Sequence, residues 1–502
     1  MVMWIVLAIY LVVMLAIGFY CRHLSNTVSD FVLGGRTLGP WMTAFAYGTS
    51  YFSAVVFVGY AGTFGWKYGV ASTWVGIGNA VIGSLLPWLI LGNRTRIMTK
   101  HLDAKTMPEY FERRYDSKGL KIMSALIIFV FLIPYTASVY NGLSRLFNMA
   151  FDIPYEWCII GMAVFTAIYV IVGGYKATAM NDFLQGIFML VGISAVVITA
   201  VSGKGGLFTA LKSLGEQGEY NTIFGPDPIN LIGVIILTSL GTWGLPQMVQ
   251  KFYAIKDRKA VKLGTIISTL FALVVAGGSY FLGGFGRLFA TADDVAANGT
   301  DYIVPQIIST MPDILIGVVI VLVLSASMST LSSLVLTSSS TLTIDLIKPF
   351  YKKMTEKKQV VIMRIFIAVF LIISVGIAIF TITNPKTIIS TLMSISWGAL
   401  AGAFLAPFMY GLFSKKITKA SVWTSFILSM VLVISHMIYF TICGNTLTLW
   451  GIDMSSAINC GAIVMLLSLI VVPIVSSVTP KMDKEKLDVI FSCYKKKEQE
   501  EN

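Results

Sequence analysis

The chain has 502 residues, 56% of them hydrophobic and 12% charged, with a mean hydropathy of +0.80. Soluble domains carry about 45–50% apolar and about 25% charged residues, so a soluble globular protein is excluded. The net charge of +12 would point to nucleic acid in a soluble chain, but in a membrane chain it is read loop by loop, and no nucleic-acid partner is expected.

The first predicted element is the apolar stretch 2–20. No basic n-region precedes it and no small-residue cleavage site follows, so it reads as a retained span and not a signal peptide. A bilayer-crossing helix needs about 20 mostly apolar residues. That ruler gives thirteen spans: 2–20, 40–65, 72–93, 121–146, 154–173, 178–201, 229–248, 261–287, 312–345, 360–383, 387–413, 418–440 and 456–477. The expected architecture is an all-α polytopic protein with a single transmembrane domain over 1–480 and a short charged tail over 481–502. The tail reads as solvated or resting on anionic lipid.

The second span is polar and glycine-bearing at its middle, Ala46-Tyr47-Gly48-Thr49-Ser50-Tyr51-Phe52-Ser53-Ala54. Irregular backbone at membrane depth is tolerated only where it is buried in protein or lines a cavity. After the third span, the segment 93–119 reads as a short interfacial helix. In the sixth span, Asp182 is the one acid expected inside a span away from its end, and such residues are functional candidates. The alternative is an acid complementing the dipole of a first helical turn, just inside Asn181 as a cap; Gln185, about one turn further on, does not fit that reading.

The Gly-rich segment 202–228 reads as partly re-entrant. The seventh span then reads Ser239-Leu240-Gly241-Thr242-Trp243-Gly244-Leu245-Pro246, with two glycines and a proline that removes a hydrogen bond. Spans two and seven lie five apart, and the odd number puts two five-helix units, about 40–201 and 229–413, in opposite orientations. Matched interruptions in two inverted halves point to a transporter's binding site. The plain alternative is that Gly and Pro are common in transmembrane helices.

The ninth span carries Ala326, Ser329, Thr330 and Ser333 at i, i+3, i+4 and i+7, on one helix face. A neutral oxygen-bearing face suits a hard monovalent cation such as sodium. Packing between membrane helices is the competing use of the same residues. The five cysteines and three histidines are scattered without metal-ligand spacing, so neither a disulfide framework nor a zinc site is indicated.

With thirteen spans the termini fall on opposite sides. One set of loops holds 31 of the 37 Lys and Arg residues, including the run Lys251, Lys256, Arg258, Lys259 and Lys262. The other holds Lys67, Arg145, Lys204, Lys212, Arg287 and Lys386. The positive-inside rule puts the first set in the cytoplasm, the N-terminus outside and the C-terminus inside. Of the triplets Asn93-Arg94-Thr95 and Asn298-Gly299-Thr300, only the second lies on the outer side, where glycosylation acts.

Gly173-Gly174-Tyr175-Lys176-Ala177 leading to Asn181-Asp182-Phe183-Leu184-Gln185, Met328-Ser329-Thr330-Leu331-Ser332, and Ser396-Trp397-Gly398 to Ala406-Pro407 resemble elements of the sodium/solute symporter family. This is the family of bacterial proline, pantothenate, sialic acid and sugar symporters. The resemblance runs from the first span to the thirteenth. It implies a LeuT-type five-plus-five inverted repeat with one extra N-terminal helix. It also implies a principal sodium site made of the carbonyls of Thr49, Phe52 and Ala326 and the hydroxyls of Ser329 and Thr330. A second sodium, held in some members, would match Asp182, Ser329, Ser332 and Ser333, so two co-transported sodium ions are expected.

Tyr51 stands where proline transporters of the family have an aspartate, Val56 where sugar transporters have a glutamine, and Asn181 where threonine is usual. The first two departures count against proline and hexose. The family's substrate contacts suggest Tyr51, Ser53, Tyr135 and Trp243; the alternative is helix contact for the serine and packing or interfacial anchoring for the rings. The expected function is sodium-coupled uptake of a small polar organic solute by alternating access. The partners are that small molecule and the lipid bilayer, with no obligatory protein partner. Proton coupling or facilitated passage is the alternative within transport. A nutrient sensor is a further alternative, and such proteins usually append a signalling domain for which the tail after Pro480 is too short. No His, Cys or paired carboxylates fall at catalytic spacing, so an enzyme is not expected.

Overall fold

The computed structural model describes residues 2–351, 353–382 and 389–500. It is 84% helical, and its two short strands, Thr448–Leu449 and Ile452–Asp453, form one hairpin. Among the described residues eleven helical runs are long and apolar enough to cross a membrane, against the thirteen expected. Two of them, Val55–His101 and Tyr155–Ser202, contain 47 and 48 residues. At 1.5 Å per residue each would exceed 60 Å as a straight rod, about twice the hydrocarbon thickness. The second run covers both expected spans 154–173 and 178–201. It is broken at Gly174, whose φ of +58° only glycine adopts without strain.

The interruption in the second span is real. A helix runs Pro40–Tyr51, Phe52 is extended (φ −90°, ψ 116°), and the chain re-enters a helix whose first turn closes by Val56 and Phe57 N–H groups donating to the Ser53 carbonyl. Gly48 precedes the break because the helix Arg258–Gly284 lies against it: a Cβ there would stand 2.3 Å from Phe271 Cδ1. In the seventh span, Leu245 is extended (φ −73°, ψ 123°) before Pro246, which opens the helix Pro246–Ala254. The residue before proline is driven out of the α region, and proline is suited to a first helical position.

The serine-rich helix Asp313–Thr341 is the centre of the molecule. Every residue from Val319 to Thr341 is buried, and the helix packs on Tyr155–Ser202, Lys118–Phe151 and Pro40–Tyr51. The helices Lys419–His436 and Ala457–Val478 lie at the periphery and expose Ile427, Val431, Ile470 and Ile474, as lipid-facing helices do.

Four expectations are corrected. Lys251, assigned to a loop, lies inside the helix Pro246–Ala254 and is buried, because the chain resumes a helix after the Pro246 break. Asp345, read as a span terminus, is fully buried, 3.6 Å from Lys121 Nζ. The segment 93–119 is not an interfacial helix but two packed ones, Asn93–His101 and Met107–Tyr115. Buried Arg114 there donates from Nε to the Gly411 carbonyl (2.8 Å) and from Nη2 to the Ser414 carbonyl (2.7 Å). The tail is not a solvated charge run but a helix, Lys484–Glu500, with Leu487, Ile490 and Phe491 buried. It is held by Tyr494 Oη donating to the Arg94 carbonyl.

Ion pairs follow the two loop sets. Lys486 pairs with Asp116 (2.6 Å) within the basic set, and Lys67 pairs with Asp227 (3.3 Å) within the acidic one.

Candidate functional site

The break in the helix Pro40–Tyr51 frees backbone carbonyls, and the serine-rich helix brings hydroxyls to them. Ser329 Oγ donates to the Thr49 carbonyl at 3.0 Å, and Thr330 Oγ1 stands 3.4 Å from the same oxygen and 3.5 Å from the Ser50 carbonyl. The same two hydroxyls lie 3.1 and 3.0 Å from the Ala326 carbonyl. Three carbonyls, of Thr49, Ser50 and Ala326, and two hydroxyls thus converge in a fully buried place with no charged side chain among them. Phe52 sits on the break itself. Such a set of neutral hard oxygens has the chemistry to coordinate one monovalent cation.

One turn along the serine-rich helix the chemistry changes. Lys251 Nζ donates to Ser333 Oγ at 2.9 Å, and Ser333 Oγ also shares a 2.7 Å hydrogen bond with Ser50 Oγ. Asp182 Oδ2 lies 3.8 Å from the same ammonium, and neither Asp182 oxygen has a hydrogen-bond partner. The Tyr175 ring packs with its centroid 5.2 Å from Nζ. The turn at Gly174 aims that ring inward. A Cβ at Gly174 would meet Phe31 Cδ2 at 2.9 Å, and the preceding carbonyl, that of Gly173, accepts from Ser25 Oγ at 2.6 Å. Lys251 is held in register by its neighbour Gln250, whose Oε1 accepts from Thr337 Oγ1 at 2.8 Å. Ser332 is turned to its own helix, donating to the Ser329 carbonyl. Gln185 donates to Tyr10 Oη at 3.1 Å, tying the N-terminal helix Val2–Tyr20 to this polar centre.

On the other side of the break the side chains are aromatic. Tyr51 stacks on Trp397 with centroids 5.9 Å apart, and Tyr135 meets the same indole edge-on at 6.0 Å. Gly241, in the seventh-span break, lies where a Cβ would come within 3.2 Å of Trp397 Cε3. Both interruptions therefore touch one tryptophan. Ser53 Oγ, Tyr135 Oη and Trp397 Nε1 are buried and make no hydrogen bond of good geometry, with Tyr135 Oη facing the other two. Tyr51 Oη donates to the Thr238 carbonyl (2.9 Å), and Trp243 Nε1 to the Ile82 carbonyl (2.8 Å). Of the four expected substrate residues, Tyr51, Ser53 and Tyr135 gather around Trp397, Tyr51 by its ring face, because its hydroxyl, like the indole N–H of Trp243, is already used.

Sequence reasoning missed the central placement of Trp397 between the two breaks, although its Ser396-Trp397-Gly398 setting was visible, and missed the burial of Lys251. The signal for Lys251 was Pro246: a helix reopened by proline runs on for about two turns and carries inward whatever lies there.

Comparison with known proteins gives the family and the fold. The model of the sodium:solute symporter family matches residues 31–428. A sodium/proline symporter of Staphylococcus aureus (strain JH9) is 30% identical over 451 residues, covering 86% of this chain and 85% of that relative. The fold is that of a Na+-coupled sialic acid symporter in a substrate-bound outward-open state, with TM-score 0.76 at 18% identity, over 96% of this chain and 99% of the other. A nucleobase-cation-symport-1 family transporter follows with TM-score 0.54 at 14% identity, over 93% and 98% of the two chains. The architecture is thus LeuT-type, and the chain belongs to the sodium:solute symporter family.

Proposed function

We propose that this protein couples inward sodium movement to uptake of a small polar organic solute, with the sodium held by the carbonyls of Thr49, Phe52 and Ala326 and the hydroxyls of Ser329 and Thr330. The observation that carries the reading is the approach of Ser329 Oγ and Thr330 Oγ1 to the carbonyls freed at the break. The domain is the whole transmembrane part, 1–480, with repeats at about 40–201 and 229–413. The protein lies in the cell membrane with its N-terminus outside and its C-terminus, like most of its basic loops, in the cytoplasm.

The solute sits against Trp397, beside Tyr51, Ser53 and Tyr135; the rings of Tyr51 and Tyr135 pack on the indole in this structure. An aromatic wall with hydroxyl and indole donors, and without a charged group among those four, fits a small zwitterion: the donors take its carboxylate, and the ring faces and serine oxygen take its ammonium. Relatives named sodium/proline symporters favour an amino acid. Tyr51, where the family's proline transporters carry an acid, counts against proline itself. As one helical bundle rocks against the other, sodium and solute are released to the cytoplasm together.

The test is a thermal-shift screen of the purified protein against amino acids and other small metabolites, in sodium and in potassium. A substrate at a hundred times its Kd stabilises the folded state by about 2.7 kcal/mol. The expected result is that this stabilisation is large in sodium and small in potassium. Equal stabilisation in both salts would remove the sodium coupling.

A further inference from the structure

We propose that the ammonium of Lys251 is a built-in cation occupying the position that a second sodium ion would take, so that each chain binds one sodium ion and not two. The inference rests on the sodium reading above and corrects its two-ion expectation.

The residues matched to a second sodium are Asp182, Ser329, Ser332 and Ser333, and a cation of the protein itself already lies against two of them. Ser333 Oγ accepts from Lys251 Nζ at 2.9 Å. Asp182 supplies one negative charge, and Lys251 Nζ lies 3.8 Å from it. Both side chains are almost wholly buried, and the Tyr175 ring closes the ammonium from another side. A second sodium here would place two positive charges against one carboxylate in a water-poor setting. Repulsion between like charges a few ångströms apart grows as the dielectric falls, so the fixed cation excludes the mobile one.

The arrangement also serves the empty transporter. A sodium-only site leaves a bare buried carboxylate whenever the ion departs, and an unpaired buried charge is costly. With Lys251 tethered to the helix Pro246–Ala254, Asp182 stays compensated through the return step. Coupling to one ion makes the accumulation limit follow the first power of the sodium gradient. A tenfold steeper gradient then raises it tenfold, where two ions would raise it a hundredfold.

The experiment is equilibrium binding of radioactive sodium to the purified full-length protein. The expected counts are one ion for the wild type, two for Lys251→Met, and one again for Lys251→Met combined with Asp182→Asn. Where Lys251→Met does not fold, Lys251→Gln takes its place, polar and close in length. Two ions on the wild type would overturn the inference while leaving sodium coupling intact, and so would a folded Lys251 variant that still binds one. No sodium on any variant would instead overturn the sodium reading itself.

Discussion

Ser329 Oγ lies 3.0 Å from the carbonyl oxygen of Thr49, across 280 residues of sequence. The contact joins the break in one half of the molecule to the serine-rich helix in the other, so whatever sits there reports on the packing of both. An ion drawn into this place replaces hydroxyl-to-carbonyl hydrogen bonds by ion-to-oxygen contacts on the same atoms. Binding therefore favours the arrangement in which the two helices are close.

The first prediction follows from that geometry. Ser329→Ala with Thr330→Ala removes two of the oxygens and should weaken apparent sodium affinity about 10- to 100-fold, the scale of one or two lost polar contacts at about 1.4 kcal/mol per factor of ten. Thermal unfolding across a sodium titration measures it. If the hydroxyls only pack helices, the double variant loses equal stability in sodium and potassium and its sodium dependence is unchanged.

The second concerns Trp397 and Tyr135. Tyr135→Phe deletes only Oη, and Trp397→Phe deletes the indole N–H while keeping a ring against Tyr51. Each should weaken binding of the metabolite found in the screen about tenfold, the scale of one hydrogen bond to a charged group. Sodium titration without the metabolite should be unchanged. A loss of sodium response in Tyr135→Phe would show that the two sites are not separate.

The sequence made the interruptions legible because lipid penalises them: Gly48 to Ser53 and Gly241 to Pro246 are conspicuous where only apolar helix is tolerated. Asp182 was legible for the same reason. Lys251 was not, because it stands five residues before Lys256 and close to Arg258 and Lys259, so hydropathy merges it with a basic loop. Only the return of the chain into the helix Pro246–Ala254 places it inside. Asp345 was hidden in the same way, at the edge of an apolar window, and its burial depends on Lys121, more than 200 residues away. The tail helix was lost because composition records the charges of 481–502 and not that Leu487, Ile490 and Phe491 share a buried side.

Gly174→Ala is the third prediction. At φ +58° an L-residue costs about 1–2 kcal/mol, and the new Cβ would press on Phe31 Cδ2 at 2.9 Å and Ser25 Oγ at 3.1 Å. A loss of about 2 kcal/mol is expected in thermal unfolding. Gly376→Ala, with nothing within 4 Å of the new atom and no left-handed φ, is the control and should be neutral or slightly stabilising. Equal behaviour of the two variants would show that the turn at Gly174 is not a fixed feature.

The fourth tests orientation. Cys443 is exposed, Cys460 partly so, and Cys21, Cys158 and Cys493 are buried. Cys443 follows the peripheral helix Lys419–His436 on the side away from Lys415, Lys416 and Lys419. A membrane-impermeant maleimide should therefore label intact cells, and Cys443→Ser should abolish most of the signal. Labelling of Cys443 only after permeabilisation would reverse the orientation.

The last concerns the C-terminal helix Lys484–Glu500 and compares two of the contacts that dock it, beside the hydrogen bond from Tyr494. Phe491 is buried, with the Arg114 guanidinium 4.9 Å from its ring centroid. Lys486 forms an exposed pair with Asp116 at 2.6 Å, and hydrogen bonding and charge from Lys486 hold the Asp116 carboxyl below its ordinary value. A carboxyl with a lowered folded value stabilises docking at every pH above the unfolded value, about 3.9. The contribution is lost as pH falls through the lowered folded value. Between pH 5 and 8 the pair is therefore constant, and being exposed it contributes little. Phe491→Ala, by contrast, removes a buried ring and should cost docking about 3 kcal/mol. Trypsin acting on inside-out vesicles reads the difference at the lysines that follow Tyr494. Phe491→Ala should be cut roughly 100-fold faster. Asp116→Asn and wild type should behave alike at pH 7, and tail protection that falls steeply between pH 7 and 5 would show that a different titrating group holds the helix.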